Sequence, residues 1–192
     1  MRSFLIIHGW QGSGPEHWQS WLADRLRHAG EHVSYPVLPD PDEPVLEAWR
    51  TSLAAELGAL PGERTVLCHS LGCLLWLHHV ATTGETTVAG RVLLAAPPSD
   101  GPGSGAAVPE LAPFFPVPLD ARAVAGAARE TRVAFARDDP YCPAGAAALY
   151  ATPLGLPADE VPAGGHLNTD AGYGPWPAME QWCLGRRPTL GP

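Results

Sequence analysis

Short apolar segments alternate along the chain with longer segments in which apolar residues recur every three or four positions. An uninterrupted apolar run is typical of a strand covered on both faces of a parallel sheet, and the longer period is typical of a helix with one buried side. Strands are therefore predicted over residues 3–7, 32–37, 65–69, 91–96, 131–136 and 158–161. Helices are predicted over residues 16–29, 44–60, about 71–83 and 176–184, with a short alanine-rich helix after Pro143.

Strands that alternate with helices predict an α/β domain built on a mostly parallel sheet of about six strands, with helices on both faces. Residues 1–192 contain no internal repeat and no dividing linker, and this length suits one domain. The 22 Pro and 21 Gly accompany an apolar content of 45%, which indicates loop-rich connections in a folded domain rather than disorder. Residues 185–192 are expected to form a tail.

One long segment, residues 97–118, is rich in Gly, Pro, Ala and Ser and has no clear periodicity. Long loops in compact domains are frequently functional, so we expect a flap over a site, with Phe114 and Phe115 facing a substrate. The alternative is that the two rings anchor the loop to the core, and the sequence leaves both interpretations open.

A serine lies where the strand over residues 65–69 meets the following helix. Around Ser70 the chain matches the pattern G-x-S-x-G of a nucleophile elbow at the second glycine, Gly72, but departs from it at the first, where it has Cys68. In such an elbow the serine Oγ is exposed on a sharp turn, and the next backbone N–H points at a developing oxyanion. Cysteine is small enough for that position. The alternative is a buried strand that ends in a serine N-cap.

A serine nucleophile needs a base, usually a histidine that a carboxylate holds in one tautomer. In α/β-hydrolases the nucleophile, the acid and the histidine occur in that order, each after a strand, as Ser70, Asp139 and His166 do here. Asp138 competes with Asp139, which is favoured because the following Pro140 restricts its backbone to extended conformations. An ordinary turn at the two aspartates and a surface histidine are the alternatives.

The loop after the first strand supplies further candidates. His8-Gly9-Trp10 ends that strand, where α/β-hydrolases place a second oxyanion donor, so the backbone N–H groups of Trp10 and Leu71 are the predicted pair. Trp10 is also a candidate wall of the substrate pocket. His69, beside the serine, is assigned to packing, because side chains that neighbour the nucleophile in an elbow point away from it.

The net charge and the cysteine pattern indicate which partners, location and cofactors to expect. The net charge of −8 disfavours binding to nucleic acid or to an anionic membrane surface. The first apolar segment is too short for a signal sequence or a membrane span, and the four cysteines show no disulfide or C-x-x-C pattern, so a cytoplasmic location is expected. No metal-ligand spacing and no dinucleotide or P-loop motif is present, so neither a metal nor a nucleotide cofactor is expected.

Several segments together resemble the small serine hydrolases related to retinoblastoma-binding protein 9. The residues that carry the resemblance are His8-Gly9-Trp10, Cys68-His69-Ser70-Leu71-Gly72, Asp138-Asp139-Pro140-Tyr141 and Gly164-Gly165-His166-Leu167-Asn168. The resemblance implies a compact α/β-hydrolase fold without a large cap domain, a catalytic set of Ser70, Asp139 and His166, and no cofactor. The L-x-C-x-E motif for binding the retinoblastoma protein is absent, so that partner is not expected.

The sequence therefore predicts a serine hydrolase that cleaves small carboxylic esters or thioesters through an acyl-enzyme intermediate. The alternative is a noncatalytic binding protein that keeps the hydrolase fold. Cys68 favours that alternative, because a distorted elbow would misplace the serine Oγ.

Overall fold

A parallel sheet lies at the centre of the computed structural model, which describes residues 1–100 and 108–191. Its strands are β1 (Arg2–Ile7), β2 (His32–Ser34), β3 (Glu63–His69), β4 (Ala89–Ala95), β5 (Ala128–Phe135) and β6 (Ala158–Glu160). The six strands lie in the order β2-β1-β3-β4-β5-β6, and each neighbouring pair is parallel. The predicted sheet, mostly parallel and of about six strands, is confirmed.

Helices cover both faces of this sheet. They are α1 (Trp18–His28), α2 (Leu46–Ala59), α3 (Leu71–Thr83), α4 (Ala121–Ala127), α5 (Thr152–Leu154) and α6 (Pro177–Cys183). Further helical turns, which are not α-helical, cover Pro109–Phe114, Ala147–Ala151 and Thr169–Ala171. Within the described residues, no helix is both long enough and apolar enough to cross a bilayer.

The apolar strands are buried on both sides because successive side chains of a strand point to opposite faces. In β1, Leu5 and Ile7 pack into the core beneath α2 and α3, whereas Phe4 and Ile6 pack into the core beneath α1 and α6. We call these the α2–α3 face and the α1–α6 face. The uninterrupted apolar runs that predicted the strands therefore reflect burial on both faces.

The strand order determines where a site can form. The chain passes from β1 outward to β2 and then returns to β3 on the other side of β1. The loops that follow β1 and β3 therefore diverge to form a crevice at the carboxyl edge of the sheet, the usual ligand position in open α/β sheets.

The structure differs from the prediction at β2 and at α4. The second strand ends at Ser34 rather than at 37, before the prolines that follow it. Helix α4 was not predicted, because its alanine- and glycine-rich sequence shows no apolar period. It begins where the Asp120 side chain accepts a hydrogen bond from the Ala123 N–H, at 2.9 Å.

Gly72, at the start of α3, lies against the end of β1. A Cβ at this position would be 2.7 Å from the carbonyl oxygen of His8 and 2.9 Å from that of Ile7. Backbone atoms of a central strand cannot move aside as a flexible side chain can. Only glycine therefore lets α3 begin this close to β1.

We predict that Gly72→Ala lowers the free energy of unfolding by about 2 kcal/mol, as overpacking in a core does. The matched control is Gly58→Ala in α2, where an added Cβ meets no atom within 4 Å. There alanine should stabilise the helix by about 0.5 kcal/mol. Urea denaturation measures both, and a Gly72→Ala variant as stable as the wild type would contradict the crowding.

Candidate active site

Ser70 lies on the turn between β3 and α3 in a strained backbone conformation. Its φ of 51° and ψ of −122° are unusual for any residue other than glycine. The Ser70 N–H donates a hydrogen bond to the carbonyl oxygen of Ala95, and the Ser70 carbonyl oxygen accepts one from the N–H of Cys73, both at 2.9 Å. The neighbouring strand and the following helix thus hold the turn on both sides.

A glycine from the loop after β1 packs directly against this serine. A Cβ on Gly9 would lie 2.8 Å from the Cβ and 3.3 Å from the Oγ of Ser70. The next residue in that loop, Trp10, is anchored by its indole N–H, which donates to the carbonyl oxygen of Asp42 at 2.9 Å. The backbone after β1 is therefore held beside the serine hydroxyl.

Cys68, where the elbow pattern has glycine, packs into the core. Its side chain is fully buried on the α2–α3 face, and its backbone pairs with Ile7 of β1 and Leu94 of β4. Burial strongly raises the pKa of its thiol, so the thiol stays protonated at neutral pH. The sequence departure at this position is thus accommodated by core packing.

His166 connects the serine to a carboxylate. Its Nε2 lies 2.8 Å from the Ser70 Oγ, and its Nδ1 lies 3.0 Å from both carboxylate oxygens of Asp139. Both His166 and Asp139 are buried. With a carboxylate at Nδ1, the neutral ring carries its proton there, which leaves the Nε2 lone pair to accept the serine O–H.

The two neighbouring aspartates have different partners. Asp139 contacts the imidazole and also accepts a hydrogen bond from the Tyr141 N–H at 2.9 Å. Asp138 instead accepts one from the Gly165 N–H at 3.0 Å. Asp138 therefore ties the loop after β5 to the loop that carries His166, while Asp139 reaches the ring itself.

The loop that carries His166 is also held from the side of the serine. The Nε2–H of His69 donates to the carbonyl oxygen of His166 at 2.9 Å, and the two rings lie 5.1 Å apart between centroids. His69 thus supports the loop by packing and hydrogen bonding. The His69 ring also packs against the His17 ring, with the two ring centroids 4.8 Å apart.

Burial keeps these two supporting histidines neutral. It lowers the pKa of His17 to about 4, and the nearby His166 acts in the same direction. Burial also lowers the pKa of the His69 imidazole well below its usual range, again with a smaller effect from His166. At neutral pH both rings are therefore directional, uncharged hydrogen-bonding groups.

The site opens into a cavity of about 240 Å³. Its lining includes Ser70 and His166 together with Trp10 and Leu71, the two residues predicted to supply oxyanion donors. The remaining lining residues are Gly9, Gln11, Gly12, Ser13, Gly14, His17, His69, Pro98, Val108, Leu111, Tyr141, Asn168, Thr169 and Asp170.

The predicted role of Phe114 and Phe115 in this pocket is wrong. Phe114 is fully buried and packs edge-on against Trp49 of α2, with ring centroids 5.5 Å apart, because burial in the core removes the whole apolar ring from water. Phe115 is partly buried against the same core. The loop instead reaches the pocket through Val108 and Leu111. Of the predicted flap, residues 101–107 lie outside the described part of the chain.

Two residues of the site have no clear signal in the sequence. His17 precedes α1 and accepts a hydrogen bond from the Gln19 N–H, but histidine is not a preferred N-cap residue. Leu111 has the composition of any core leucine. In the described ranges, 1–100 and 108–191, no group of three or more His, Cys, Asp or Glu side chains is placed to hold a metal ion.

Known proteins share this architecture. A family model described as serine hydrolase matches residues 4–183. YdeN of Bacillus subtilis (strain 168) is 27% identical over 178 residues, which cover 90% of this chain and 89% of that protein. The solved structure of the ydeN gene product from B. subtilis has a TM-score of 0.83 at 24% identity, covering 97% of this chain and 98% of the other. An α/β-hydrolase from a Paenibacillus species has a TM-score of 0.63 at 14% identity, covering 97% and 99%. The predicted α/β-hydrolase fold is confirmed.

The buried neutral histidine at position 17 predicts a loss of stability in acid. Between pH 6.5 and about 4 the unfolded chain binds a proton that the folded His17 does not, so stability decreases as the pH falls. One such group contributes up to about 1.4 kcal/mol per pH unit in that range. His17→Asn should reduce the slope of unfolding free energy against pH by this amount.

Urea denaturation between pH 4.5 and 7 measures the slope. His69 and His8, whose pKa values burial also lowers, act in the same direction in both proteins. Since His17 also lowers the pKa of His69, the difference between variant and wild type measures His17 together with its effect on that neighbour. Identical slopes would show that His17 is protonated as readily in the folded protein as in the unfolded chain.

Proposed function

This chain belongs to the serine hydrolase family, and we propose that it hydrolyses small carboxylic esters or thioesters through an acyl-enzyme intermediate on Ser70. The observation that carries the proposal is one continuous chain of contacts. The Ser70 Oγ lies 2.8 Å from His166 Nε2, and His166 Nδ1 lies 3.0 Å from the Asp139 carboxylate. This is the arrangement that nucleophilic acyl transfer requires.

In the first half of the reaction, Ser70 Oγ attacks the substrate carbonyl carbon as His166 Nε2 takes the hydroxyl proton. The Asp139 carboxylate stabilises the resulting imidazolium. As the tetrahedral intermediate collapses, the bond from carbon to the leaving oxygen or sulfur breaks, and His166 returns the proton to that atom. In the second half, water repeats the attack on the acyl-enzyme and releases the acid, with Ser70 restored.

The backbone N–H groups of Trp10 and Leu71 are the proposed oxyanion donors. Leu71 directly follows the nucleophile, and Trp10 follows Gly9, which packs against the Ser70 side chain. Donors already fixed at the position of the developing charge are worth about 3 kcal/mol each in the transition state. The anchoring of Trp10 through Asp42 supports this role, because it limits reorganisation of the loop.

The pocket supports a small substrate. Its apolar side is formed by Leu71, Pro98, Val108 and Leu111, and its volume of about 240 Å³ suits a short acyl chain.

The noncatalytic binding alternative depended on distortion of the elbow by Cys68, whose side chain is buried in the core. The cytoplasmic location that the sequence suggests stays a prediction.

We predict that Ser70→Ala lowers kcat/KM for a p-nitrophenyl ester by at least about a thousandfold, because the nucleophile is lost. A fluorophosphonate probe should label the wild-type protein at Ser70, as peptide mass spectrometry would show, and should leave Ser70→Ala unlabelled. A wild-type protein that stays unlabelled, with no measurable esterase or thioesterase activity, would instead indicate a binding module.

The two aspartates provide a matched pair for the acid. Asp139→Asn should lower kcat by about ten-thousandfold, because the amide stabilises the wrong imidazole tautomer and cannot stabilise an imidazolium. Asp138→Asn keeps an oxygen that can accept the Gly165 N–H, so its kcat should fall by no more than about tenfold. Steady-state kinetics with one ester compares them, and losses of equal size would remove Asp139 from its proposed role.

A further inference from the structure

Tyr141 lines the active-site pocket, but the proposed mechanism gives its ring no role. Tyr141 is 40% exposed and lines the cavity together with Ser70 and His166. Within residues 1–100 and 108–191, it is a member of neither hydrophobic core. Burial of apolar surface therefore does not by itself account for the position of this ring.

The Tyr141 ring packs against the imidazole of His166. The two ring centroids lie 4.4 Å apart, and the ring planes are inclined by 50°. Aromatic rings at this separation are in contact, and such pairs are stabilising beyond the area that they bury. The His69 ring also contacts this imidazole, with centroids 5.1 Å apart, but His69 is buried. Of these two rings, Tyr141 is therefore the one that borders the solvent.

The backbone of Tyr141 is held independently of its side chain. Its N–H donates to Oδ1 of Asp139, and its carbonyl oxygen accepts from the N–H of Ser99, both at 2.9 Å. Ser99 belongs to the loop after β4 and is buried. Both hydrogen bonds are made by backbone atoms of Tyr141, so a change of side chain leaves them in place. The ring can therefore be altered without removing a donor from Asp139.

The imidazole of His166 has to keep two contacts at once. Its Nε2 lies 2.8 Å from the Ser70 Oγ while its Nδ1 lies 3.0 Å from the Asp139 carboxylate. Rotation of the ring about its side-chain bonds, or a water molecule at either nitrogen, would break one of these contacts. A misplacement of about 1 Å in an active site costs on the order of a hundredfold in rate. A neighbour that restrains this ring therefore affects catalysis.

We propose that Tyr141 is a positioning residue, whose ring holds the His166 imidazole in contact with both Ser70 and Asp139 and excludes water from it. The inference rests on the proposed hydrolase function. His166 accepts the serine proton in the first half of the reaction and the water proton in the second. A ring that acts through His166 consequently affects every substrate, whatever its leaving group. A ring that only contacted the leaving group would instead change substrate binding.

Steady-state kinetics with p-nitrophenyl butyrate separates these two roles. In Tyr141→Ala the kcat should fall by about a hundredfold, because the imidazole loses its restraint. KM should change by less than about threefold, since the ring acts on the transition state rather than on the bound ester. Tyr141→Phe keeps the ring contact, so its kcat should remain within about twofold of the wild-type value.

The rate of labelling by a fluorophosphonate gives a second measurement, which involves no leaving alcohol. The Ser70 Oγ forms a bond to phosphorus, the bond from phosphorus to fluorine breaks, fluoride leaves, and His166 takes the hydroxyl proton. Because His166 acts here as it does in ester hydrolysis, the second-order rate constant should also fall by about a hundredfold in Tyr141→Ala. A tyrosine that only contacted the leaving alcohol would leave this rate constant unchanged.

Two further variants complete the comparison. Tyr173 lies in the loop after β6, as His166 does, and packs against Trp176 with ring centroids 5.0 Å apart. It is not among the described residues that line the pocket, so Tyr173→Ala should keep the kcat of the wild type. Tyr141→Leu keeps apolar volume without a planar ring, and its kcat should lie between those of Tyr141→Phe and Tyr141→Ala. Thermal unfolding checks that each variant is folded.

The results separate this inference from the function on which it rests. Wild-type kcat and labelling rate in both Tyr141→Ala and Tyr141→Leu would overturn the role of Tyr141 and leave ester hydrolysis intact. A raised KM at unchanged kcat would do the same, and so would a Tyr141→Phe variant as slow as Tyr141→Ala. A wild-type protein with neither esterase activity nor labelling at Ser70 would overturn both. Where Tyr141→Ala does not fold, Tyr141→Leu decides the question.

Discussion

The strained backbone of Ser70 is the constraint on which the rest of the site depends. A residue with a side chain at φ 51° and ψ −122° persists only where its surroundings hold it there, since such a conformation costs about 1–3 kcal/mol. Here Ala95 and Cys73 hold its backbone, and Gly9 and Gly72 leave room for the loop after β1 to lie against it. The serine hydroxyl therefore projects at the carboxyl edge of the sheet.

Neutral, buried histidines organise the side of the site toward α1 and α6. Each ring has one nitrogen committed to a backbone partner: His69 Nε2 donates to His166 O, and His17 Nδ1 accepts from Gln19 N. Burial removes the charged form, so each ring keeps a single tautomer and acts as a directional group.

Two adjacent carboxylates with different partners hold the loops after β5 and β6. Asp138 joins the two loops through the Gly165 N–H, and Asp139 contacts the imidazole that the second loop carries. The buried Asp139 carboxylate accepts a hydrogen bond from the Tyr141 N–H, which offsets the cost of removing it from water, whereas Asp138 is exposed. The position of His166 is consequently defined by three loops, those after β3, β5 and β6.

The sequence by itself determined the strands and the chain order of Ser70, Asp139 and His166. An apolar run such as residues 3–7 is stable only when both faces are buried, and parallel strands bring their carboxyl ends to one edge. Local sequence favoured Asp139 over Asp138 through the following Pro140, but it could not assign a partner to either carboxylate, since the direction of each side chain is decided by contacts with a distant loop. Local sequence also did not decide whether the Phe114 ring lies in the pocket or in the core. It contained no signal that His17 would line the pocket. Only the tertiary structure decided these points, because each depends on a segment distant in sequence: the β6 loop for the aspartates, α2 for Phe114, and the turn at Ser70 for His17.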